Sequence, residues 1–206
     1  MTPTPAVRPY RPEDRDAVHD VCVRTAHNGG DSRPLHADPD VFPATFATPY
    51  THLEPELAFV LDDGGGRAVG YILGTADTPA FVADFRAKWL PLVAERFPLP
   101  ADRADTPDAA IVRLLHDPER MILPELLPYP AHLHIDILPA WQGRGHGRAL
   151  MRTFLRALCD RGVPAVHLTM VTANTPARAF YDRLGFHEIE VPDPGPVTHL
   201  GRTTRD

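Results

Sequence analysis

The chain reads as a single α/β domain built on a mixed β-sheet, and three observations lead there. Segments of period-2 and helical apolar spacing alternate along it, the pattern of strands and helices packed in layers. The clearest pairing lies between His132 and Leu158. There Leu133, Ile135 and Ile137 alternate as in a strand, and Leu150, Met151, Phe154, Leu155 and Leu158 repeat as on one face of a helix. Finally, 206 residues suit one domain with a full core, and 43% hydrophobic with 23% charged residues is ordinary for a globular protein.

The elements follow in order. Residues 7–10 read as a first strand. Pro12, Glu13 and Asp14 open a helix to about residue 26, with Val18, Val21, Cys22 and Thr25 on one face, and Asn28, Gly29, Gly30 and Asp31 end it. Residues 32–55 are proline-rich and predict short helical turns and loops, with Phe42, Phe46 and Tyr50 as packing anchors or, less often for such aromatics, ligand contacts. Strands at 57–61 and 68–75 flank the turn Asp62-Asp63-Gly64-Gly65-Gly66. Between 77 and 129, Phe81, Phe85, Trp89, Leu92, Val93 and Phe97 predict one helix, and residues 109–116 and 119–126 two more. A central strand at 131–138, a helix at 143–161 and a strand at 165–171 come next. A short helix at 174–184, stopped by Gly185, and strands at 186–191 and 197–200 complete the chain.

Charge and composition exclude several classes. A net charge of -6 argues against nucleic-acid binding. Basic residues on the helix near 144–156 form a local patch suited to one phosphorylated ligand. Cys22 and Cys159, the chain's two cysteines, fall in helical patterns and read as buried free thiols rather than a disulfide scaffold. With no apolar signal core and no run of membrane-spanning length, a cytoplasmic protein with no membrane partner is expected. The 24 prolines, with many Ala and Arg, give a bacterial-looking composition that carries no functional weight.

Between the central strand and its helix lies Gln142-Gly143-Arg144-Gly145-His146-Gly147, followed by Arg148. A helix start leaves backbone N–H groups unpaired and carries partial positive charge, and glycines let an anion approach them. A phosphate or pyrophosphate suits such a turn. Walker A fails because the turn ends Gly147-Arg148-Ala149, and the dinucleotide fingerprint fails because its last glycine would fall on Leu150. Gln142-x-x-Gly145-x-Gly147, preceded by Pro139, resembles the acetyl-CoA pyrophosphate loop of the GNAT acetyltransferases. Downstream, Asn174, Ala177, Phe180, Tyr181, Gly185 and Phe186 resemble that family's Asn-x-x-Ala-x-x-Phe-Tyr…Gly-Phe segment. Within the family, His134-Ile135-Asp136-Ile137, Phe180-Tyr181 with Leu184-Gly185, and His199-Leu200-Gly201-Arg202 resemble the acetyltransferase-like C-terminal domain of O-GlcNAcase.

The resemblance implies a mostly antiparallel sheet, with residues 77–129 as a helical insertion between the third and fourth strands. It implies acetyl-CoA as co-substrate, held by Ile137, Leu138, Gln142, Gly143, Arg144, Gly145, His146, Gly147, Arg148, Asn174, Arg178 and Tyr181. Tyr181 matches the family's acid to the leaving thiolate, and a backbone N–H near Ile137 would serve the thioester oxygen. The acceptor is then a small-molecule or peptide amine. His132, His134 and Asp136 share one face of their strand, so Asp136, helped by His134, is the candidate base, directly or through water. No metal is expected. Two other readings compete: a non-catalytic acyl-CoA sensor or scaffold, and a zinc hydrolase using His132, His134 and Asp136.

Overall fold

The computed structural model describes residues 4–100 and 106–205 and holds one seven-stranded sheet. Its strands are β1 (Ala6–Pro9), β2 (Ala58–Asp62), β3 (Ala68–Thr75), β4 (Ala131–Ile137), β5 (Ala165–Val171), β6 (His187–Ile189) and β7 (Val197–Thr203). They lie in the order β1-β2-β3-β4-β5-β7-β6, antiparallel throughout except for the parallel pair β4–β5. The expected mixed, mostly antiparallel sheet is observed.

The helices are α1 (Arg15–Thr25), α2 (Val41–Phe46), α3 (Thr48–Leu53), α4 (Thr78–Asp84), α5 (Leu90–Val93), α6 (Pro107–His116), α7 (His146–Asp160) and α8 (Thr175–Asp182). Helix α1 packs over β3 and β4, whereas α7 packs over β1, β2, β3 and β4. Helix α7 buries the five apolar residues that its sequence spacing predicted. Phe154 is fully buried, which stabilises the fold by about 3 kcal/mol. The close seating of α7 depends on Gly74 of β3, where an added Cβ would overlap the His132 carbonyl oxygen and the Phe154 ring. No helix among the described residues is long and apolar enough to cross a membrane.

Several expected boundaries shift for local reasons. The first helix is split into a 3-10 turn at Pro12–Asp14 followed by α1. The helix expected from residue 143 begins at His146, because Gly143 and Gly145 take positive φ, 71° and 85°. The expected helix at 119–126 is absent. Two 3-10 turns, Pro118–Met121 and Pro124–Leu126, stand there instead, each opened by a proline that has no N–H to continue a helix. The helix expected over Phe81–Phe97 starts at Thr78, widens into a π-turn at Phe85–Trp89 and ends at Val93. Pro91 explains the widening: its ring crowds the carbonyl one turn back and offers no donor to it. The last strand runs on to Thr203, and β6 is cut to His187–Ile189. Cys22 is buried as expected, but Cys159 is only half-buried.

Candidate active site

The central feature is a gap in the sheet. Strands β4 and β5 pair only at Ala131–Val166 and His132–His167, and beyond His132 they part. The first residues of β4 are buried, while His134, Ile135, Asp136 and Ile137 are half-buried along the gap. Leu138 N–H donates to Val69 O at 3.0 Å. In an antiparallel ladder that fixes parity, so the N–H and C=O of Ile137 turn away from β3 toward the gap. Gln142 Nε2 donates to the Ile137 carbonyl at 2.8 Å and ties the loop to the strand end.

Parity also divides the side chains of β4. Ile137 faces α7, within reach of Gly147. His132, His134 and Asp136 face the opposite side, under α1, α3 and α4. Tyr71 of β3 lies directly across from Asp136 and its hydroxyl donates to Asp136 Oδ2 at 2.7 Å. Burial pushes the Asp136 carboxyl up to about 6, against the opposing pull of the Tyr71 and Thr25 hydroxyls. Burial, with Arg120 and His167 nearby, pushes His134 down to about 4. His132 is buried and held well below the ordinary histidine range by burial, His167, His134 and Arg120. Both its ring nitrogens are engaged, with Tyr50 Oη at 2.8 Å and Thr78 Oγ1 at 2.8 Å. The three side chains share a face as expected but do not converge as ligands. No group of three His, Cys, Asp or Glu among the described residues could hold a metal ion, which removes the support for the zinc reading.

At the far end of β4 the glycine loop enters α7. Gly143 and Gly145 are exposed, their left-handed backbone suits glycine, and space is open where a Cβ would stand. Gly145 N-caps α7 without a side-chain acceptor, so the first amides of the helix, from His146, Gly147 and Arg148, are not capped by it. Arg144 and Arg148 are exposed beside them, Arg144 lying over the Trp141 ring at 5.9 Å and His146 standing 6.1 Å from that ring. Gly147 differs from the other two. A Cβ there would sit 3.0 Å from the Phe180 ring, so its smallness seats α8 on α7 and joins the two sequence motifs in space.

Tyr181, next to Phe180, is 8% exposed, with its ring against Phe186 at 5.5 Å between centroids. Burial, and then the charge of Asp136, raise its pKa, so the phenol stays protonated at neutral pH. Asn174 caps α8, its Oδ1 accepting from Ala177 N–H at 3.2 Å. Arg178 pairs with Asp182 at 2.8 Å and Glu188 at 2.7 Å on the outer side of α8. The structure thus brings Ile137, Leu138 and the 142–148 loop together at one end of the gap. Tyr181 and Asp136 lie close enough to influence one another, whereas Arg178 is tied into its own ion pairs. Tyr71 and Thr78 escaped the sequence reading, and Tyr50 entered it as a packing anchor or ligand contact with no partner named. The one signal that reveals Tyr71 is the register of β3 against β4.

An open glycine backbone, uncapped helix amides, two exposed arginines and a gap beside a strand N–H fit a pyrophosphate-bearing acyl carrier such as acetyl-CoA. The model of the acetyltransferase (GNAT) family matches residues 31–186. Protein O-GlcNAcase of Rattus norvegicus is 28% identical over 98% of this chain and 23% of its own length, so the chain spans about a quarter of that relative. Mycothiol acetyltransferase of Catenulispora acidiphila is 52% identical over 25% of this chain and 17% of its own length. The crystal structure of SsHAT, 74% identical, superposes with a TM-score of 0.96 over 99% of this chain and 100% of that one. The chain belongs to the acetyltransferase (GNAT) family of enzymes.

Proposed function

We propose that this protein transfers the acetyl group of acetyl-CoA to the primary amine of a small molecule or peptide by direct attack. The parting of β4 and β5 after His132, with the glycine loop at one end and Asp136 and Tyr181 beside it, carries the reading. When bound, acetyl-CoA supplies an acetyl group activated as a thioester. The α7 amides with Arg144 and Arg148 hold its phosphates, and Gln142, Leu138 and Asn174 line the path of its arm. The Ile137 N–H, aimed into the gap, is the donor for the carbonyl oxygen as charge gathers there. Asp136 accepts the proton of the attacking amine at its carboxylate, with His134 beside it. The Tyr181 hydroxyl gives its proton to the leaving sulfur, and its raised pKa keeps that proton in place until the sulfur leaves. The described part of the 77–129 insertion reaches the acceptor side, since Thr78 and Phe81 of α4 pack against His132.

Thermal unfolding with and without acetyl-CoA tests the binding half. At a hundred times Kd the ligand should add about 2.7 kcal/mol, a rise in Tm of about 5–10 °C. A panel of amines screened for thiol release tests the chemistry. No shift overturns the reading. A shift with no thiol release from any amine favours an acyl-CoA sensor instead.

A further inference from the structure

A run of hydrogen bonds beneath β4 has only one consistent direction. It begins at the Pro130 carbonyl, which can only accept, and Thr78 Oγ1 donates to it at 2.8 Å. A hydroxyl has one proton, so Thr78 must accept from His132 Nδ1–H at 2.8 Å. His132 is 5% exposed, and burial, with the charge of Arg120 nearby, opposes a second proton. The neutral ring therefore offers Nε2 as an acceptor, and Tyr50, 1% exposed, donates its hydroxyl proton there at 2.8 Å. Tyr50 Oη then has no proton left for its other neighbour. It must accept from His134 Nε2–H at 3.0 Å. In the neutral ring of His134 the remaining lone pair stands on Nδ1. His134 is also the half-buried end of the chain, where β4 opens into the gap.

We propose that this chain fixes His134 as the Nε2–H tautomer, so that its bare Nδ1 accepts an N–H of the acceptor amine and orients it for attack. The proposal rests on the acetyltransferase reading and divides the labour between two side chains. His134, kept uncharged by burial, accepts and orients. Asp136, two residues and about 7 Å further along the strand, takes the proton. Tyr50, His132 and Thr78 are positioning residues: they touch neither substrate and act through His134. Phe81, stacked on Tyr50 at 4.4 Å, holds the phenol in line. An amine donor satisfies Nδ1, whereas a group without a hydrogen to donate leaves that lone pair unpaired, so the arrangement selects donors.

Two-bond proton–nitrogen correlation spectra of the ligand-free, 15N-labelled protein read the tautomers directly, with His134 assigned by loss of its signals in His134→Gln. The expected result is opposite tautomers in the two neighbours: His132 protonated at Nδ1 and His134 at Nε2. Thr78→Val removes the anchor and should give His134 a mixture of tautomers. It should lower kcat/KM for the amine on the order of tenfold, the worth of one misplaced hydrogen bond, with KM for acetyl-CoA unchanged. Thr78→Ser, which keeps the hydroxyl, should restore both. His134 protonated at Nδ1 in the wild type overturns the proposal, and so does Thr78→Val with unchanged spectra and turnover. The spectra do not depend on activity. The predicted tautomers in a protein that transfers no acetyl group would support the chain and sink the acetyltransferase reading alone.

Discussion

Replacing Asp136 with asparagine should make the protein more stable at neutral pH and nearly inactive. Burial carries this carboxyl from its ordinary 3.8 to about 6. A folded-state pKa above the unfolded value means that the folded protein holds the proton more tightly. Stability therefore falls as pH rises from about 3.8 to about 6, and is constant on either side as far as this group decides. Above that window the charged carboxylate costs about 3 kcal/mol, at 1.36 kcal/mol per tenfold. Asparagine stands in for the neutral acid and can still accept the Tyr71 hydroxyl, so Asp136→Asn should gain about 2 to 3 kcal/mol near pH 8. For a chain of this size that raises Tm by about 5–10 °C. Near pH 4 the folded wild type is itself protonated, and the two proteins should melt together within about 1 kcal/mol. Thermal melts of both proteins at the two pH values, each with and without acetyl-CoA, supply the test. Acetyl-CoA should shift both alike, because Asp136 lies on the face of β4 away from α7, while kcat/KM for the amine falls about 10²- to 10⁴-fold. A variant less stable than the wild type near pH 8, or a difference that does not change with pH, would refute the reasoning.

Three further substitutions separate chemistry from folding. Tyr181→Phe keeps the ring between Phe180 and Phe186 and should lower kcat about 10²-fold with little change in KM for acetyl-CoA, read by steady-state kinetics. Gly147→Ala places a methyl group 3.0 Å from the Phe180 ring. It should weaken acetyl-CoA binding about tenfold by calorimetry and cost about 1 to 3 kcal/mol of stability. Gly74→Ala sets a methyl group into the His132 carbonyl and Phe154, away from the loop. It should cost at least about 3 kcal/mol in urea unfolding, and any folded fraction should bind acetyl-CoA normally.

The C-terminal half of the chain was legible because each of its signals is local. Period-2 spacing in β4, helical spacing in α7 and glycines at the turn all act within a few residues, and the structure placed them within about three residues of expectation. The segment between β3 and β4 was harder. Apolar spacing from Phe81 to Phe97 is helical, yet Pro91 forces a wide turn into it, and Pro118 and Pro124 replace an expected helix with two 3-10 turns. The glycine loop was found but explained too uniformly: positive φ accounts for Gly143 and Gly145, and the Phe180 ring for Gly147. The partners of Asp136 and His134 were not legible at all. Tyr71 and Tyr50 are 65 and 84 residues away from them, and a tyrosine in a buried strand or short helix looks like any core residue until the register is known.

The side chains packed on the two faces of β4 also come largely from opposite sides of it in sequence. Phe154, Gly147 and Phe180, on the α7 side, come after the strand; Cys22, Thr25, Tyr50, Tyr71, Thr78 and Phe81, on the other, come before it. A single crossover just ahead of Ala131 therefore exchanges the helices over His132, His134 and Asp136, together with β1 to β3 and Gly74, and keeps those three side chains, the glycine loop and α7. Under the proposed function, such an exchange would renew the covering of the acceptor side while Asp136 and the donor loop stay in place. A chimera joined at that point is the laboratory form of the same event.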